Sequence, residues 1–278
     1  MSILSIQSHV VYGYVGNKAA VYPLQSMGFD VWPVNTVQFS CHTGYPQWRG
    51  EVFSREHIKN IINGIEAIGA VDKCQAILSG YMGSKDTCLE VTETVTRFKA
   101  NNNKIIYLCD PVIGNTNCFV KPEVLEFFKT SLVADIITPN QFEAELLSGI
   151  KIIDTNSLKA VANYFHNLGI AIVVVTGIKG LGRSFDDLSI FISDNKDPYI
   201  VNTKECKFSK PINGTGDLFS AIFLGTYLAT NNALLAAKNA VFYMDIVVNN
   251  TINSGSKELE VISTRYDTTP KAIQAIKL

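Results

Sequence analysis

Apolar and polar positions follow two periods along the chain. Short runs rich in Val, Ile and Leu are typical of buried strands, and apolar residues spaced by three or four positions predict helices. These patterns predict strands at 2–6, 30–34, 75–78, 104–108, 134–137, 170–175, 188–192 and 199–202. They predict helices at 18–27, 55–68, 86–100, 156–168, 218–229 and 232–251, with shorter ones that begin at Pro122 and end at Leu147. This alternation predicts a three-layer α/β/α fold around a mainly parallel central sheet.

Two segments depart from the alternation. Residues 37–49 are polar and aromatic without a clean period, so we expect a small β excursion or a lid there. The strands at 188–192 and 199–202 flank a polar turn, which predicts an antiparallel pair. No linker, repeat or low-complexity segment interrupts the sequence, and residues 1–278 are therefore predicted to form a single domain.

Composition narrows the class of protein. The 278 residues are 47% hydrophobic and 18% charged, which suffices for a sizeable core. The formal net charge is -1 and the basic residues are scattered, so neither a nucleic acid nor a membrane surface is an expected partner. The chain shows no signal peptide and no apolar run of about 18 residues, and we expect a cytoplasmic protein. The six cysteines lack CxxC or CxxH spacing, which argues against a zinc site and favours reduced thiols.

The stretch from Asn213 to Asp217 carries the strongest chemical signal. Two glycines, Gly214 and Gly216, interrupt regular structure before a very apolar helix. The peptide N–H groups around Thr215 would then lie unpaired at a helix N-terminus, which is an anion-binding arrangement. A carboxylate at Asp217 would repel that anion, and this cost is explained if Asp217 accepts the proton of a hydroxyl that attacks phosphorus. In the alternative, Asp217 only caps the helix dipole and the glycines only turn the chain.

Polar residues also follow several of the predicted strands. Open parallel sheets bind ligands beyond the carboxyl ends of their strands, so these positions are candidates for a site. They are Ser8, Tyr81, Asp110, Asn140, Glu143, Thr176 and Gly177. Asn140 and Glu143 have the spacing of a capping box, which is their structural alternative, and Ser8 is equally typical of a turn or cap. In the functional alternative, Asn140 and Glu143 face the same mouth as Asp110 and act through water and a divalent ion.

Together, these blocks resemble the pyridoxal kinases of the ribokinase-like superfamily. The resemblance runs through nearly the whole chain and is carried by residues 7–10, 13–17, 37–40, 42–45, 79–81, 109–112, 137–143 and 214–217. The Gly-Thr-Gly-Asp block alone indicates a ribokinase-like kinase, whereas Gln-Ser-His-Val and Val-Gln-Phe-Ser are typical of the vitamin B6 branch. The resemblance implies a homodimer that uses ATP to phosphorylate the 5′-hydroxymethyl group of pyridoxal, pyridoxine or pyridoxamine.

The resemblance also implies roles for the residues around the substrate. Asp217 would be the base, and the backbone of the glycine-rich turn would form an anion hole for the transferred phosphoryl group. Ser8 and Thr43 would hold the polar edge of the pyridine ring. Val15 and Tyr81 would pack around that ring.

A second set of roles concerns ATP and ions. The resemblance implies that Asn140 and Glu143 bind Mg²⁺ (or another divalent ion) and the phosphates, and that Asp110 and Thr138 lie near a monovalent cation (K⁺ or Na⁺). It also implies that the nucleotide is contacted by Thr176, Gly177 and Thr215. Beside the adenosine it places Phe208, Ser209 and Lys210. Four positions depart from the pattern. Asn115 stands where family members commonly carry an acidic residue, and Gly177 stands where animal relatives carry a serine. Lys210 and Asn213 are not the usual apolar choices before the glycines.

Two other classes of function remain open from the sequence. A hydroxymethylpyrimidine kinase or a sugar kinase of the same fold would share the glycine-rich motif but has no reason to carry Ser8, Thr43 and Tyr81 together. A regulator that binds vitamin B6 or a nucleotide without catalysis has no use for a base such as Asp217. Binding of pyridoxal without MgATP-dependent turnover would favour the regulator.

Overall fold

A computed structural model of the chain describes residues 1–181, 187–206 and 212–278. Its strands are β1 (Ser2–Val10), β2 (Asp30–Phe39), β3 (Gly50–Val52), β4 (Cys74–Ser79), β5 (Ile106–Cys109), β6 (Ile136–Ile137), β7 (Ile172–Lys179), β8 (Asp187–Ser193), β9 (Tyr199–Lys204) and β10 (Ala275–Lys277). Its helices are α1 (Asn17–Ser26), α2 (Arg55–Ala67), α3 (Lys85–Asn101), α4 (Pro122–Thr130), α5 (Gln141–Ser148), α6 (Thr155–Asn167), α7 (Thr215–Thr230) and α8 (Ala233–Ser254).

The described strands form one sheet in the order β10-β9-β8-β7-β6-β5-β4-β1-β2-β3. The strands from β7 to β2 run parallel to one another. The pairs at the two margins are antiparallel, including the predicted β8–β9 pair. Because β2 and β4 flank β1 on opposite sides, the direction in which the chain adds strands reverses at β1. Ligands of open α/β sheets bind at such a reversal, beyond the carboxyl ends of the strands.

Side chains of the central strands point alternately into two cores. In β1, Leu4 packs in the core covered by α2 to α6, and Ile3 packs in the core covered by α1, α7 and α8. Val173 and Val174 of β7 divide in the same way. Strand side chains alternate between faces, so helices cover both faces of the sheet, which confirms the three-layer prediction. Among the described helices, none has both the length and the apolarity that crossing a membrane requires.

Several boundaries differ from the predicted ones. Helix α7 begins at Thr215 rather than at Leu218, because Gly214 takes a left-handed conformation (φ 89°) and forms the N-cap. Strand β7 continues to Lys179, although the predicted strand ended at residue 175, because its last residues pair with β8 across a register shift. The sequence analysis missed β3 and β10, which have three residues each and are too short to show a period. The pairing of β3 with residues 37–39 of β2 gives a β excursion as expected, but its second strand lies just beyond the expected bounds of 37–49.

The pairing of β1 with β2 is irregular beside Ser8. Gln7 pairs with Asn35 and His9 pairs with Gln38, so Thr36 and Val37 of β2 together face Ser8 of β1. This is a bulge in β2, and a bulge bends the strand that carries the extra residue. Ser8 therefore lies at the reversal point of the sheet, opposite the bulged part of β2.

Candidate active site

The N-terminus of α7 lies against the loop that follows β1. An ideal Cβ on Gly214 would lie 1.9 Å from the carbonyl oxygen of Tyr14, a distance that no side chain tolerates. The positive φ of Gly214 is also a conformation that L side chains rarely adopt. Glycine is thus required here by contact and by conformation. The first turn of α7 leaves its N–H groups without helical acceptors, which suits an anion.

Asp217 lies in this first turn, where it is half-buried. The backbone of Gly16 donates a hydrogen bond to its carboxylate. Gly16 in turn approaches Ser8 so closely that an ideal Cβ would lie 2.1 Å from the Ser8 carbonyl oxygen and 2.4 Å from Ser8 Oγ. Burial raises the pKa of Asp217, and the Gly16 hydrogen bond offsets part of the rise. Close backbone contacts therefore connect the candidate base to the end of β1.

A chain of hydroxyl groups runs beneath the same turn. Ser220 Oγ, one helical turn after Asp217, donates to Asp110 Oδ2 at 2.9 Å. Thr138 Oγ1 lies 2.8 Å from Ser220 Oγ and, because the Ser220 hydrogen is committed to the carboxylate, Thr138 is the donor of that pair. Asp110 and Thr138 are both buried, directly after β5 and β6. Two of the predicted site residues are thus joined through a serine.

Glu143 and Asn140 form the predicted capping box at the start of α5. The Asn140 side chain accepts from the Glu143 N–H at 3.0 Å, and Glu143 Oε2 accepts from the Asn140 N–H at 2.9 Å. Glu143 Oε1 also accepts from the N–H groups of Ile113 and Gly114 at 2.8 and 3.2 Å. The Asn140 amide donates to the Gly114 carbonyl at 2.7 Å. The pair therefore caps the helix and also holds the loop that follows β5.

Asp110, Glu143 and Asp217 influence one another electrostatically. Burial raises the pKa of Asp110 well above its ordinary range, and the charges of Glu143 and Asp217 add to the rise. Burial likewise raises the pKa of Glu143 to about 7. Within the described ranges, no three His, Cys, Asp or Glu side chains are grouped to hold a metal ion directly. Carboxylate, amide and hydroxyl oxygens suit a hard cation such as Mg²⁺, which keeps several waters.

The residues expected around a pyridine ring are divided between two environments. Val15 and Tyr81, both partly buried, pack on one small apolar cluster. That cluster consists of Val10, Val37 and Phe39. Thr43 lies in the exposed part of the segment between β2 and β3. The structure thus brings Val15 and Tyr81 together on one apolar cluster, and it leaves Thr43 on the exposed segment between β2 and β3.

The expected nucleotide residues lie at the end of β7. Thr176 donates its N–H to the Pro139 carbonyl at 2.9 Å and forms an isolated bridge with Asn140, so β7 and the start of α5 are adjacent. Gly177 has a positive φ of 66°, and an ideal Cβ there would meet nothing within 4 Å. This end of β7 is therefore open. The predicted adenosine residues Phe208, Ser209 and Lys210 lie outside the described residues.

Sequence reasoning missed three participants. Gly16 was given no role beyond its place in the 13–17 block that carries the resemblance, although its backbone contacts both Ser8 and Asp217. Ser220 carries a signal in its spacing, because three residues after Asp217 places it on the same side of a helix. Glu258 carries no such signal, since its contacts with residues 14, 42 and 45 cross more than 200 positions of the sequence.

A doubly covered, mainly parallel sheet with a glycine-capped helix at its reversal point defines a ribokinase-like α/β protein. The family model described as phosphomethylpyrimidine kinase matches residues 52–261. Pyridoxal kinase PdxY of Corynebacterium diphtheriae is 39% identical over 269 residues, which cover 95% of this chain and 94% of the relative. The chain belongs to the pyridoxal kinase family, as the sequence motifs predicted.

Solved structures support the same assignment. The pyridoxal kinase of Leishmania donovani in complex with ADP and ginkgotoxin has a TM-score of 0.90 to this chain, at 31% identity. The complex of the same enzyme with ADP and pyridoxamine has a TM-score of 0.89. Both comparisons cover 100% of this chain and 99% of the other, so the likeness extends over the whole fold.

Proposed function

We propose that this protein transfers the γ-phosphoryl group of ATP to the 5′-hydroxymethyl group of pyridoxal, and also of pyridoxine and pyridoxamine. The observation that carries the proposal is the position of Asp217, which joins an anion-binding helix N-terminus to Ser8 through the Gly16 backbone. The names of the relatives and the ADP and pyridoxamine bound to the Leishmania donovani enzyme support the choice of substrates.

Asp217 acts as the general base. It takes the proton of the 5′-hydroxyl group as the oxygen attacks the γ-phosphorus, and the bond from that phosphorus to the β,γ-bridging oxygen breaks to release ADP. The raised pKa of Asp217 makes its carboxylate a better proton acceptor than an exposed aspartate. The backbone N–H groups of Gly214, Thr215 and Gly216 stabilise the charge on the transferred group.

The substrate ring lies at the end of β1. Ser8 and Thr43 hydrogen-bond to its polar edge, and Val15 and Tyr81 enclose its faces. The position of Ser8 at the end of β1, opposite a bulge in β2, and the shared apolar cluster of Val15 and Tyr81 support this arrangement. For Thr43, an exposed position in the free protein is compatible with a segment that covers the ring when substrate is bound.

The nucleotide lies beyond β6 and β7. Asn140 and Glu143 hold a hydrated Mg²⁺ and the phosphates, and Mg²⁺ supplies neutralisation of phosphate charge. Asp110 and Thr138 lie near a monovalent cation, K⁺ or Na⁺. Thr176, Gly177, Phe208, Ser209 and Lys210 contact the nucleoside. The carboxylate oxygens of Asp110 and Glu143 and the hydroxyl oxygen of Thr138, which suit a hard cation, support cation binding.

We extend the proposal to the organisation of the protein. Residues 1–278 act as one kinase domain, which the continuous sheet supports. The working form is a homodimer in the cytoplasm, where ATP is available. Light scattering coupled to size-exclusion chromatography tests the dimer, and a mass equal to one chain of 30.6 kDa would contradict it.

The test of function is MgATP-dependent formation of a 5′-phosphate from pyridoxal, pyridoxine and pyridoxamine. Hydroxymethylpyrimidine serves as the competing substrate because the matching family model bears the phosphomethylpyrimidine kinase name, and ribose serves as the sugar. We expect turnover of the B6 vitamers that is lost in Asp217→Ala. Preference for hydroxymethylpyrimidine would overturn the substrate assignment, and saturable pyridoxal binding without any turnover would make the protein a regulator.

A further inference from the structure

Glu258 is a buried carboxylate outside the proposed chemistry. It follows α8 and is 6% exposed. Its Oε1 accepts from the Tyr45 hydroxyl at 2.6 Å and lies 3.2 Å from His42 Nε2. Its Oε2 accepts from the Tyr14 N–H at 3.2 Å. One side chain therefore joins the chain after α8, the turn after β1 and the segment between β2 and β3.

The hydrogen bonds around His42 define its tautomer. Its Nδ1 accepts from the Gly44 N–H at 3.2 Å and lies 3.3 Å from the Asn213 side-chain amide, which is a donor. Nε2 then carries the ring hydrogen and donates it to Glu258 Oε1. His42 thus bridges Glu258 to the residue that immediately precedes Gly214.

The surrounding backbone is shaped to admit this carboxylate. Gly13 has a φ of 92°, and an ideal Cβ there would lie 2.2 Å from Glu258 Oε2. Any other residue at position 13 would displace the carboxylate or the turn. The hydrogen bond to Glu258 also raises the pKa of Tyr45, which keeps its hydroxyl protonated as a donor. Gly13 thus leaves space for the Glu258 carboxylate, and Tyr14 and Tyr45 donate hydrogen bonds to it.

We propose that Glu258 is a positioning residue that holds residues 40–48, here called the covering segment, against the substrate side of the site. The proposal rests on the proposed function, since the covering segment carries Thr43. Glu258 acts through His42 and Tyr45, which flank Thr43 on the segment, and it does not contact the reacting atoms. Its anchor on the Tyr14 backbone belongs to the same turn that packs on Gly214.

The substitution Glu258→Gln preserves size but replaces one acceptor oxygen with an NH₂ donor. Either the Tyr14 N–H or the two donors on the covering segment must then face another donor, and an unpaired buried donor is costly. Because Thr43 is proposed to hold substrate, we expect KM for pyridoxal to rise. The rise should be about tenfold, which is the change that the free-energy cost of one unpaired donor produces. We expect KM for ATP to change by less than about twofold, since Glu258 contacts none of the proposed nucleotide residues.

Two further variants are measured beside Glu258→Gln: Tyr45→Phe is a second test of the positioning role, and Glu260→Gln is its control. Tyr45→Phe removes one hydroxyl from a half-buried side chain and should shift KM for pyridoxal in the same direction, so the test survives if Glu258→Gln misfolds. Glu260→Gln is the matched control, because its carboxylate pairs with Ser254 at the end of α8. It removes the same charge two residues away and should leave both KM values unchanged.

Fluorescence gives a readout that needs no activity. The two tryptophans are Trp32 and Trp48, and Trp48 belongs to the covering segment, where it packs on Phe39 at 4.6 Å between ring centroids. In a Trp32→Phe background, acrylamide should quench Trp48 more strongly after Glu258→Gln than after Glu260→Gln. Equal quenching and an unchanged KM for pyridoxal would overturn the positioning role. If the unsubstituted protein phosphorylates no vitamer, the proposed function fails separately, and quenching alone decides whether Glu258 holds the segment.

Discussion

The carbonyl oxygen of Tyr14 occupies the space in which a side chain on Gly214 would begin. The ideal Cβ would lie 1.9 Å from that oxygen, and the φ of Gly214 is 89°. Two costs therefore oppose any other residue at position 214. The left-handed conformation alone costs about 1–2 kcal/mol, and the contact forces the turn after β1 away from α7.

Gly214→Ala should therefore abolish most activity by displacing the proposed anion hole. We expect kcat to fall by at least about 100-fold, the scale of losing one oxyanion donor. Gly28→Ala is the matched control, because Gly28 has a φ of 91° and an ideal Cβ there meets nothing within 4 Å. Both variants should lose similar stability from conformation, and kcat should fall in Gly214→Ala alone. Equal kcat values would show that the contact with Tyr14 has no catalytic consequence.

Asp217→Asn should separate chemistry from binding. We expect kcat to fall by about 10²- to 10⁴-fold with KM for pyridoxal little changed, because the amide cannot accept the proton. A rise in KM with kcat intact would make Asp217 a binding residue. Steady-state kinetics with both substrates varied measures the two effects.

The same substitution has a predictable effect on stability. Burial raises the pKa of Asp217 above 3.8, so the folded state holds the proton more tightly than the unfolded state. A group with a raised pKa stabilises the fold when protonated, and that stabilisation is lost as the pH rises through its folded pKa. At pH 7 the ionised carboxylate is therefore a net cost, and Asp217→Asn should raise Tm, by about 2–4 °C for each 1 kcal/mol of cost removed. Thermal scans at pH 4 and 7 should show a smaller gain at the lower pH.

Glu90 should contribute more to stability than the neighbouring Glu93. Glu90 is fully buried between α2 and α3, where Arg55 and Arg97 donate to it at 3.3 and 3.4 Å. Arg55 and Arg97 are 32% and 34% exposed and stay hydrated without Glu90, so the loss is that of their charge-assisted hydrogen bonds. We expect Glu90→Ala to reduce the free energy of unfolding by about 2 kcal/mol. Glu93 also pairs with Arg55, at 2.6 Å, but its side chain is 49% exposed. Urea denaturation should leave Glu93→Ala close to the unsubstituted protein, and equal losses would contradict this account.

The cysteines should divide into two groups in a thiol-labelling experiment. Burial raises the pKa of Cys74 to about 11 and those of Cys88 and Cys109 to about 12, so they should resist labelling at pH 8. Cys118 is exposed, and Cys41 and Cys206 are half-buried. We expect Cys118 to react first and three thiols to react only after denaturation. Rapid reaction of all six in the native protein would contradict the described packing.

The parts of the fold that are predictable from sequence are those with a local cause. Strand β1 and helix α2 follow from apolar period and from caps such as Ser54, and the Asn140–Glu143 capping box follows from its spacing. The position of Ser8 and Asp110 at one edge of the sheet is also predictable, because the carboxyl ends of parallel strands share that edge.

The remainder depends on contacts between distant parts of the chain. The predicted strand ended at residue 175, and β7 runs past Thr176 only because β8 offers partners. The bulge opposite Ser8 depends on the pairing of β1 with β2, and Glu258 meets Tyr14 across 244 positions. No local sequence pattern predicts these contacts, because the distance between the two residues is fixed only after the whole sheet has formed.

The order of the elements along the chain has a consequence for folding during synthesis. Strand β1 and helix α1 leave the ribosome before the other described elements, yet α1 packs with α7 and α8, and Ser26 bonds to Tyr266 across 240 positions. The face covered by α2 to α6 has all its helices once residue 167 has emerged, whereas the opposite face must wait for α7 and α8. A nascent chain therefore leaves the side of α1 that meets α7 uncovered until residues 215–230 have emerged, and Glu258 reaches the Tyr14 turn later still.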